Sequence, residues 1–169
     1  MSKLRTVIIA LAIFLIILPA CTSDSESVPA TTQTPLITES PPTQTVEPVT
    51  LQLELTGEPW GEKFLKGLSG RTSLDGGMLF DFEDTVTFGF QMEETLIPLS
   101  IAFVSEELLI VKILDMEPLS KEHYNPSISY RYAIEVNQGF FTQNNIAVGD
   151  QVEFQPSTME GYTSIVFIR

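Results

Sequence analysis

GGMLFDFEDTVTFGFQMEETLIPLSIAFV, residues 76–104, contains the two clearest strand patterns of this chain. From Thr85 to Met92, the residues Val, Phe, Phe and Met alternate with Thr, Gly and Gln. Because successive side chains of a strand point to opposite faces, this alternation predicts a strand with one buried face and one wet face. Leu99 to Val104 is apolar at nearly every position, which indicates a strand covered on both faces or a buried helix segment.

Pro98 favours the strand interpretation of the second pattern. Proline has no backbone N–H and disfavours helical angles at the preceding residue, Ile97. We therefore place Pro98 at the start of a strand, where the missing donor does least harm. Glu93, Glu94 and Thr95 then form the connection between the two predicted strands.

The rest of the domain is predicted to consist of short strands, a short helix and turns rich in glycine and proline. A helix is predicted from Pro59 to Leu68, and Asn137 is predicted to be the N-cap of a helical turn through Phe140 and Phe141. Many short strands separated by Gly and Pro indicate a sandwich or a barrel. The further predicted strands are Leu51–Leu55, Leu108–Leu114, Tyr130–Asn137, Val152–Phe154 and Thr163–Ile168.

The N-terminus has the layout of a secretory signal peptide. Lys3 and Arg5 precede an apolar run from Val7 to Leu18, which is shorter than the ~20 residues that a membrane-spanning helix needs. The run ends in Leu-Pro-Ala-Cys, with the cysteine at position 21. Residues 1–20 closely resemble a bacterial lipoprotein signal, and the resemblance implies cleavage before Cys21 and diacylglyceryl attachment to its sulfur. The alternative is an uncleaved membrane anchor with an incidental cysteine.

Residues 21–50 are predicted to be a disordered, lipid-anchored linker. This stretch is rich in Ser, Thr, Pro and Glu, lacks Lys and Arg, and has no periodic apolar residues. The globular domain is predicted to span residues 51–169. The expected location is therefore the cell membrane, with the domain on the extracytoplasmic side and the lipid at Cys21 as the membrane contact.

Charge and composition exclude several classes of function. The formal net charge of −13 argues against nucleic acid as a partner, because an acidic surface repels phosphate backbones. Cys21 is the only cysteine, so no disulfide within the chain and no thiolate metal cluster can form. His123 is the only histidine and is interpreted as a solvated loop residue. No serine-nucleophile motif and no Asp-x-Asp-x-Asp loop occurs, so we assign no catalytic residue, metal or cofactor.

Four blocks of the sequence resemble a known family. GLSGRTSLDGGMLFDF, MEETLIPLSIAF, RYAIEVNQGFF and IAVGDQV fall in the order found in the domain of unknown function 192, a prokaryotic family of small, often exported domains. The resemblance covers most of Leu51 to Phe154. It implies a mainly β, jelly-roll-like sandwich or partly closed barrel with one or two short helices, and it implies no activity.

The chain departs from the family pattern at two places. Glu93 and Glu94 stand where the family commonly has Lys-Asn, and Ser100 stands where it commonly has Asp. These departures put in doubt any polar role that those positions have in relatives.

Three function classes follow from these observations. We favour a surface-tethered module that binds a protein, a peptide or a small molecule. The alternatives are an envelope enzyme that uses carboxylates such as Glu94 and Glu135 for acid–base chemistry, and a structural envelope component. Arg71, an arginine of a very acidic domain, is expected to have a carboxylate partner. The candidate binding site, placed at one end of the fold around the connection before Pro98, comprises Arg71, Glu94, Thr95, Ser100, Glu135 and Asn137.

Overall fold

A single seven-stranded sheet dominates the computed structural model, which describes residues 47–169. The strand order is β4-β3-β5-β2-β1-β7-β6. All neighbouring strands of this sheet are antiparallel except β1 and β2, whose parallel pairing requires a crossover that contains α1. In chain order the elements are β1 (Val49–Leu55), α1 (Glu62–Lys66), β2 (Gly77–Val86), β3 (Leu99–Val104), β4 (Ile110–Met116), β5 (Tyr130–Asn137), α2 (Phe140–Gln143), β6 (Gln151–Pro156) and β7 (Tyr162–Ile168).

The two edge strands of the sheet approach each other at one end. The Ile110 N–H, at the start of β4, donates to the Asp150 carbonyl oxygen at 2.9 Å, and the Val152 N–H of β6 donates to the Leu108 carbonyl oxygen at 2.8 Å. An isolated bridge between Leu109 and Gln151 joins the same edges. The sheet is therefore curled into a partly closed barrel with two short helices, and the predicted mainly β fold class is confirmed.

Each face of the sheet carries its own apolar core. Because neighbouring residues of a strand face opposite sides, alternate residues of β2, β3 and β5 contribute to different cores. The first core, on the α1 side, contains Phe64, Leu68, Leu74, Met78, Phe80, Phe82, Met92, Leu99, Ile101, Phe103, Met116, Tyr130 and Ala133. The second core, on the α2 side, contains Leu53, Leu79, Ala102, Val104, Ile110, Ile134, Val136, Phe141, Ile146, Val152, Ile165 and Phe167.

The strand predicted from Thr85 to Met92 is wrong. The strand in this region is β2, which ends at Val86 and lies between β1 and β5 in the middle of the sheet. The β2–β5 register shifts between Asp81 and Val86, and Glu83 in between has φ of 62°. After Val86 the chain leaves the hydrogen-bonded sheet, so the alternating aromatic residues that follow cover one face of the sheet instead of extending it.

The predicted helix from Pro59 to Leu68 forms only at residues 62–66. Trp60 has φ of 64°, which a helix cannot contain, and Gly67 ends the helix with φ of 50°. The predicted N-cap of the second helix is also wrong, because Gly139 occupies that position and the Asn137 side chain donates to the Leu74 carbonyl oxygen at 2.8 Å.

The start of the domain lies slightly before the predicted Leu51. Val49 and Thr50 already pair with Phe167 and Val166 of β7. The predicted signal peptide, the lipidation site at Cys21 and the linker up to residue 46 lie outside the described residues. Among residues 47–169, no helix combines the length and apolar character that crossing a bilayer would need.

Candidate functional site

A cavity of about 490 Å³ lies on the α1 side of the sheet. It is enclosed by α1, by the segment 88–95 that follows β2, and by side chains of β2 and β5. Six aromatic side chains line it: Trp60, Phe64, Phe80, Phe82, Phe88 and Phe90. The cavity therefore has the size of a small-molecule site, and its lining is mixed, with aromatic rings beside polar side chains.

The inner aromatic wall is held rigidly by edge-to-face contacts. The ring of Phe64 on α1 lies 5.3 Å from the ring of Phe80 and 5.0 Å from the ring of Phe82, both on β2. Phe90 contacts Phe80 at a centroid distance of 5.1 Å. Such pairs of rings stabilise one another beyond their burial, so this wall exists before any ligand enters.

The outer aromatic wall is open to solvent. Trp60 and Phe88 are 50% and 54% exposed, and their ring centroids lie 5.0 Å apart. Trp60 is the only tryptophan of the chain, and its ring also contacts Phe64 and Phe82. Two large, adjacent and exposed aromatic side chains at the mouth of a cavity are a surface that a ligand can cover.

Glu135 is a buried ionisable group of the cavity. It lies on β5 opposite Met78 of β2 and Ile101 of β3, and its side chain is only 5% exposed. Among the described residues, the Glu135 carboxyl group forms no hydrogen bond and no ion pair. In the same part of the chain, every side-chain oxygen that lacks a hydrogen-bond partner keeps some accessible surface. The two carboxyl oxygens are therefore accessible from the cavity. Burial raises the pKa of Glu135 to about 8, since removal from water penalises the carboxylate.

A second partly buried glutamate in this region, Glu54 on β1, has two cationic partners. Lys63 Nζ lies 3.0 Å from its Oε1, and Arg71 Nη2 lies 2.8 Å from its Oε2. Burial tends to raise the pKa of Glu54, but the hydrogen bonds from Lys63 and Arg71 outweigh it and lower the pKa. Lys63 and Arg71 thus neutralise Glu54, and neither of them pairs with the Glu135 carboxyl group.

The mouth of the cavity also carries polar side chains from two loops. Glu93, Glu94 and Thr95 come from the segment before β3, and His123 comes from the segment before β5. His123 packs closely over Gly89, where an added Cβ would lie 2.7 Å from the histidine Nε2. The contact requires glycine at position 89 and brings the His123 ring to the cavity.

Comparison with known proteins identifies the family. The model of DUF192, described as an uncharacterized ACR, matches residues 32–154. The chain belongs to the domain of unknown function 192 family. The match begins earlier than the Leu51 start of the resemblance seen in the sequence, and a comparison with curated proteins found no match.

Two solved structures share the fold of this family member. One, from Sinorhizobium meliloti 1021, is described as a "putative transcription regulator"; the two chains are 24% identical, with a TM-score of 0.56 over 63% of this chain and 94% of the other. The other is a protein of unknown function from Novosphingobium aromaticivorans, 25% identical, with a TM-score of 0.55 over 66% of this chain and 89% of the other. These likenesses support the fold.

Three of the predicted binding residues of this family member lie at the cavity: Glu94, Thr95 and Glu135. Thr95 is 5% exposed and its carbonyl oxygen accepts a bond from the Leu119 N–H, which holds the two loops together. Arg71 does not line the cavity, and its carboxylate partner is Glu54, so it is not brought together with Glu135.

The other two predicted residues have structural contacts away from the cavity. Ser100 is paired with Val136 across β3 and β5, so its side chain lies on the face opposite to Glu135. Its hydroxyl donates to Asp115 and accepts a bond from the Gly139 N–H, which ties the start of α2 to the sheet. Asn137, with its amide bonded to Leu74, secures the loop before β2.

Sequence reasoning missed the aromatic part of the cavity. It predicted one buried face for the alternation from Thr85 to Met92, but Phe88 of that face is 54% exposed at the mouth of the cavity. The sequence did contain a signal for this aromatic wall, which is the high frequency of phenylalanine between positions 80 and 90, with Gly89 among the aromatic residues. His123 was interpreted as solvated; it is exposed, but it also lines the cavity.

No metal site is evident among residues 47–169, where His, Asp and Glu side chains do not gather in groups of three or more suitable for an ion. The cavity is therefore best described as an aromatic pocket with one buried carboxyl group and an acidic mouth. It can surround an apolar group and meet one polar or charged atom at Glu135.

Proposed function

We propose that this domain is a binding module that captures a small organic molecule in the cavity beside Glu135. The observation that carries the proposal is a buried carboxyl group that has no partner among residues 47–169 and lies on the wall of a preformed aromatic cavity. Buried polar groups are normally hydrogen-bonded, and unpaired ones lower stability. A ligand that supplies the missing partner accounts for such a group.

The exposed aromatic wall supports the same function. Covering Trp60 and Phe88 with a ligand removes apolar surface from water, which contributes about 25 cal/mol per Å². Because the inner rings already contact one another, little ordering is required when the ligand binds. The ligand is therefore expected to have an apolar part that packs against the exposed surface of these rings.

We also propose that the module is tethered outside the cytoplasm. The lipoprotein-like ending at Cys21 and the proline-rich linker of residues 21–50 support a lipid anchor with the domain held away from the membrane. In this arrangement the binding cavity samples the extracytoplasmic medium.

Binding can be tested with Trp60 as the reporter, since it is the only tryptophan and lies at the mouth of the cavity. A panel of small aromatic ammonium, alcohol and carboxylate compounds is titrated while fluorescence and calorimetry are recorded. At least one class of compound is expected to bind, and Phe88→Ala is expected to weaken that binding about tenfold.

Met159→Ala is the matched control, because Met159 is also 54% exposed but does not line the cavity. Its binding is expected to equal that of the wild type. Absence of binding across the panel, or equal effects of the two substitutions, contradicts the proposed function.

A second candidate function is acid–base catalysis, and the raised pKa of Glu135 is the observation that favours it. A carboxyl group with a pKa of about 8 holds its proton at neutral pH and can donate it to a bound substrate. The two functions differ in outcome: a catalyst converts the bound compound in repeated turnovers, whereas a binding module returns it unchanged, as mass spectrometry of the recovered ligand shows.

A further inference from the structure

We infer that the molecule captured by the cavity is an ammonium cation with apolar substituents, whose charged nitrogen lies between the aromatic rings and the carboxyl group of Glu135. The inference rests on the proposed function and names the chemical class of its ligand. Three features of the cavity support it: the distribution of charge, the aromatic walls and the accessibility of the Glu135 oxygens.

The charge of the cavity is mainly negative. Among the described residues, Glu93 and Glu94 line it with one basic side chain, Lys66, and Glu135 adds a further negative charge when it loses its proton. Lys63 and Arg71, the other cations of this region, are both bound to Glu54. An anionic ligand would meet unfavourable charge here, whereas a cation meets two glutamates at the mouth and the Glu135 carboxyl group inside, in a chain with a net charge of −13.

The aromatic walls complement a cation directly. The face of an aromatic ring attracts a positive charge within about 6 Å of its centroid, and tryptophan does so most strongly. Trp60, Phe82 and Phe88 lie close together, with Trp60 5.7 Å from Phe82 and 5.0 Å from Phe88. These edge-to-face contacts join the three rings into one aromatic surface of the cavity, and an aromatic surface near a carboxyl group attracts a substituted ammonium group.

Glu135 provides the position for the charged nitrogen. It is 5% exposed, its oxygens are accessible from the cavity, and its neighbours across the sheet, Met78 and Ile101, are apolar. A carboxylate in such surroundings is strongly stabilised by a cation in contact with it, because water screens the pair very little. A purely apolar or neutral ligand would offset less of the free-energy cost of burying this carboxyl group.

Proton release is a consequence of this pairing. Burial holds the Glu135 carboxyl protonated at neutral pH, with a pKa of about 8, and a cation favours the carboxylate, so binding releases the proton to solvent. Affinity is therefore expected to increase about tenfold per pH unit below about pH 8 and to level off above it. The other titratable groups that line the cavity are Lys66, Glu93, Glu94 and His123.

The experiment compares choline with its neutral isostere, 3,3-dimethylbutan-1-ol, by calorimetry at pH 6, 7 and 9. The quaternary charge of choline does not titrate, so a pH effect on its binding comes from the protein. Choline is expected to bind the wild-type protein at least tenfold more tightly than the alcohol at pH 9. Its affinity is expected to increase about tenfold from pH 6 to pH 7, with release of nearly one proton at pH 7.

Two variants assign the pH effect to one residue. Glu135→Gln is expected to abolish the increase between pH 6 and pH 7, whereas His123→Gln is expected to keep it. Glu160→Gln, at an exposed position outside the cavity, serves as a control that removes a carboxylate without touching the site. If Glu135→Gln does not fold, proton release by the wild-type protein, measured in two buffers of different ionisation enthalpy, still tests the inference.

The outcomes separate the inference from the function on which it rests. Three results would overturn the inference and leave the binding function intact. The alcohol binds as tightly as choline or more tightly, choline binds without proton release, or the panel compounds that bind are all non-cationic. Absence of binding by choline, the alcohol and every panel compound would overturn both.

Discussion

Glu135 is the residue on which the chemistry of this domain depends. It is placed in the middle of a sheet by the pairing of β5 with β2 and β3, between Met78 and Ile101. Burying an unpaired carboxylate is costly, so the group keeps its proton instead, and its pKa is about 8. This protonation links the stability of the fold to pH.

The direction of that linkage can be derived from the two pKa values. The unfolded chain loses the Glu135 proton near pH 4.5, whereas the folded protein keeps it until about pH 8. Between these values the folded state binds more protons, so its free energy of unfolding falls by about 1.4 kcal/mol per pH unit from this group. The contribution is complete below about pH 4.5 and is lost as pH rises through about 8.

We therefore predict that Glu135→Gln, whose side chain at position 135 is neutral in both the folded and the unfolded state, does not lose this contribution to the free energy of unfolding as pH rises. From pH 5.5 to pH 7.5, the free energy of unfolding of the wild type should fall by about 2–3 kcal/mol more than that of the variant. Urea unfolding at both pH values measures the difference. Glu160→Gln should behave like the wild type, and an unchanged pH dependence in Glu135→Gln would contradict the prediction.

At the scale of elements, α1 depends on the sheet. A helix of five residues is too short to be stable in water by itself, and Gly61 provides no side-chain cap for it. Phe64 attaches it to the domain through its contacts with Phe80 and Phe82. The same helix forms one side of the cavity, so attachment and site formation are coupled.

Phe64→Ala is expected to lower the free energy of unfolding by about 3–5 kcal/mol, because it removes a buried ring from the first core and leaves a space behind. Chemical denaturation measures this loss. Leu65→Ala, on the same helix but 68% exposed, is the control and should change the free energy by less than about 0.5 kcal/mol. Similar losses in the two variants would show that α1 is not held by Phe64.

The whole molecule combines a curled sheet with a sequence that predicts membrane attachment. The sheet brings β4 and β6 together at one end, and strand β1 lies between β2 and β7 in the interior of the sheet. The chain that precedes β1 carries Cys21, which lies outside the described residues.

We predict that the mature protein is lipidated at Cys21 and that this lipid is its sole membrane attachment. Cys21→Ala should yield an unprocessed precursor or a released protein, since two or more acyl chains, each contributing roughly 0.8 kcal/mol per buried methylene, provide the membrane affinity. Fractionation and mass spectrometry check the outcome. An unmodified Cys21 in mature, membrane-bound protein would contradict the prediction.

The candidate site was only partly predictable from the sequence. Glu135, a predicted site residue, does line the cavity, on the sheet face opposite to its neighbours Ile134 and Val136. Parity could not show what covers that face, because the covering rings come from α1 and from the segment after β2. For the same reason the sequence could not show that Ser100 and Arg71, both predicted at the site, form their contacts elsewhere.

The sequence by itself determined the mainly β class and the position of most strands, because alternation of apolar and polar residues is a local property of each segment. It was also sufficient to predict an exported lipoprotein. Only the tertiary structure decided that β2 ends at Val86, that Arg71 pairs with Glu54, and that the Glu135 carboxyl group has no partner in the described part of the chain. These outcomes depend on which distant segments share a face of the sheet, and burial and charge pairing are consequences of that arrangement.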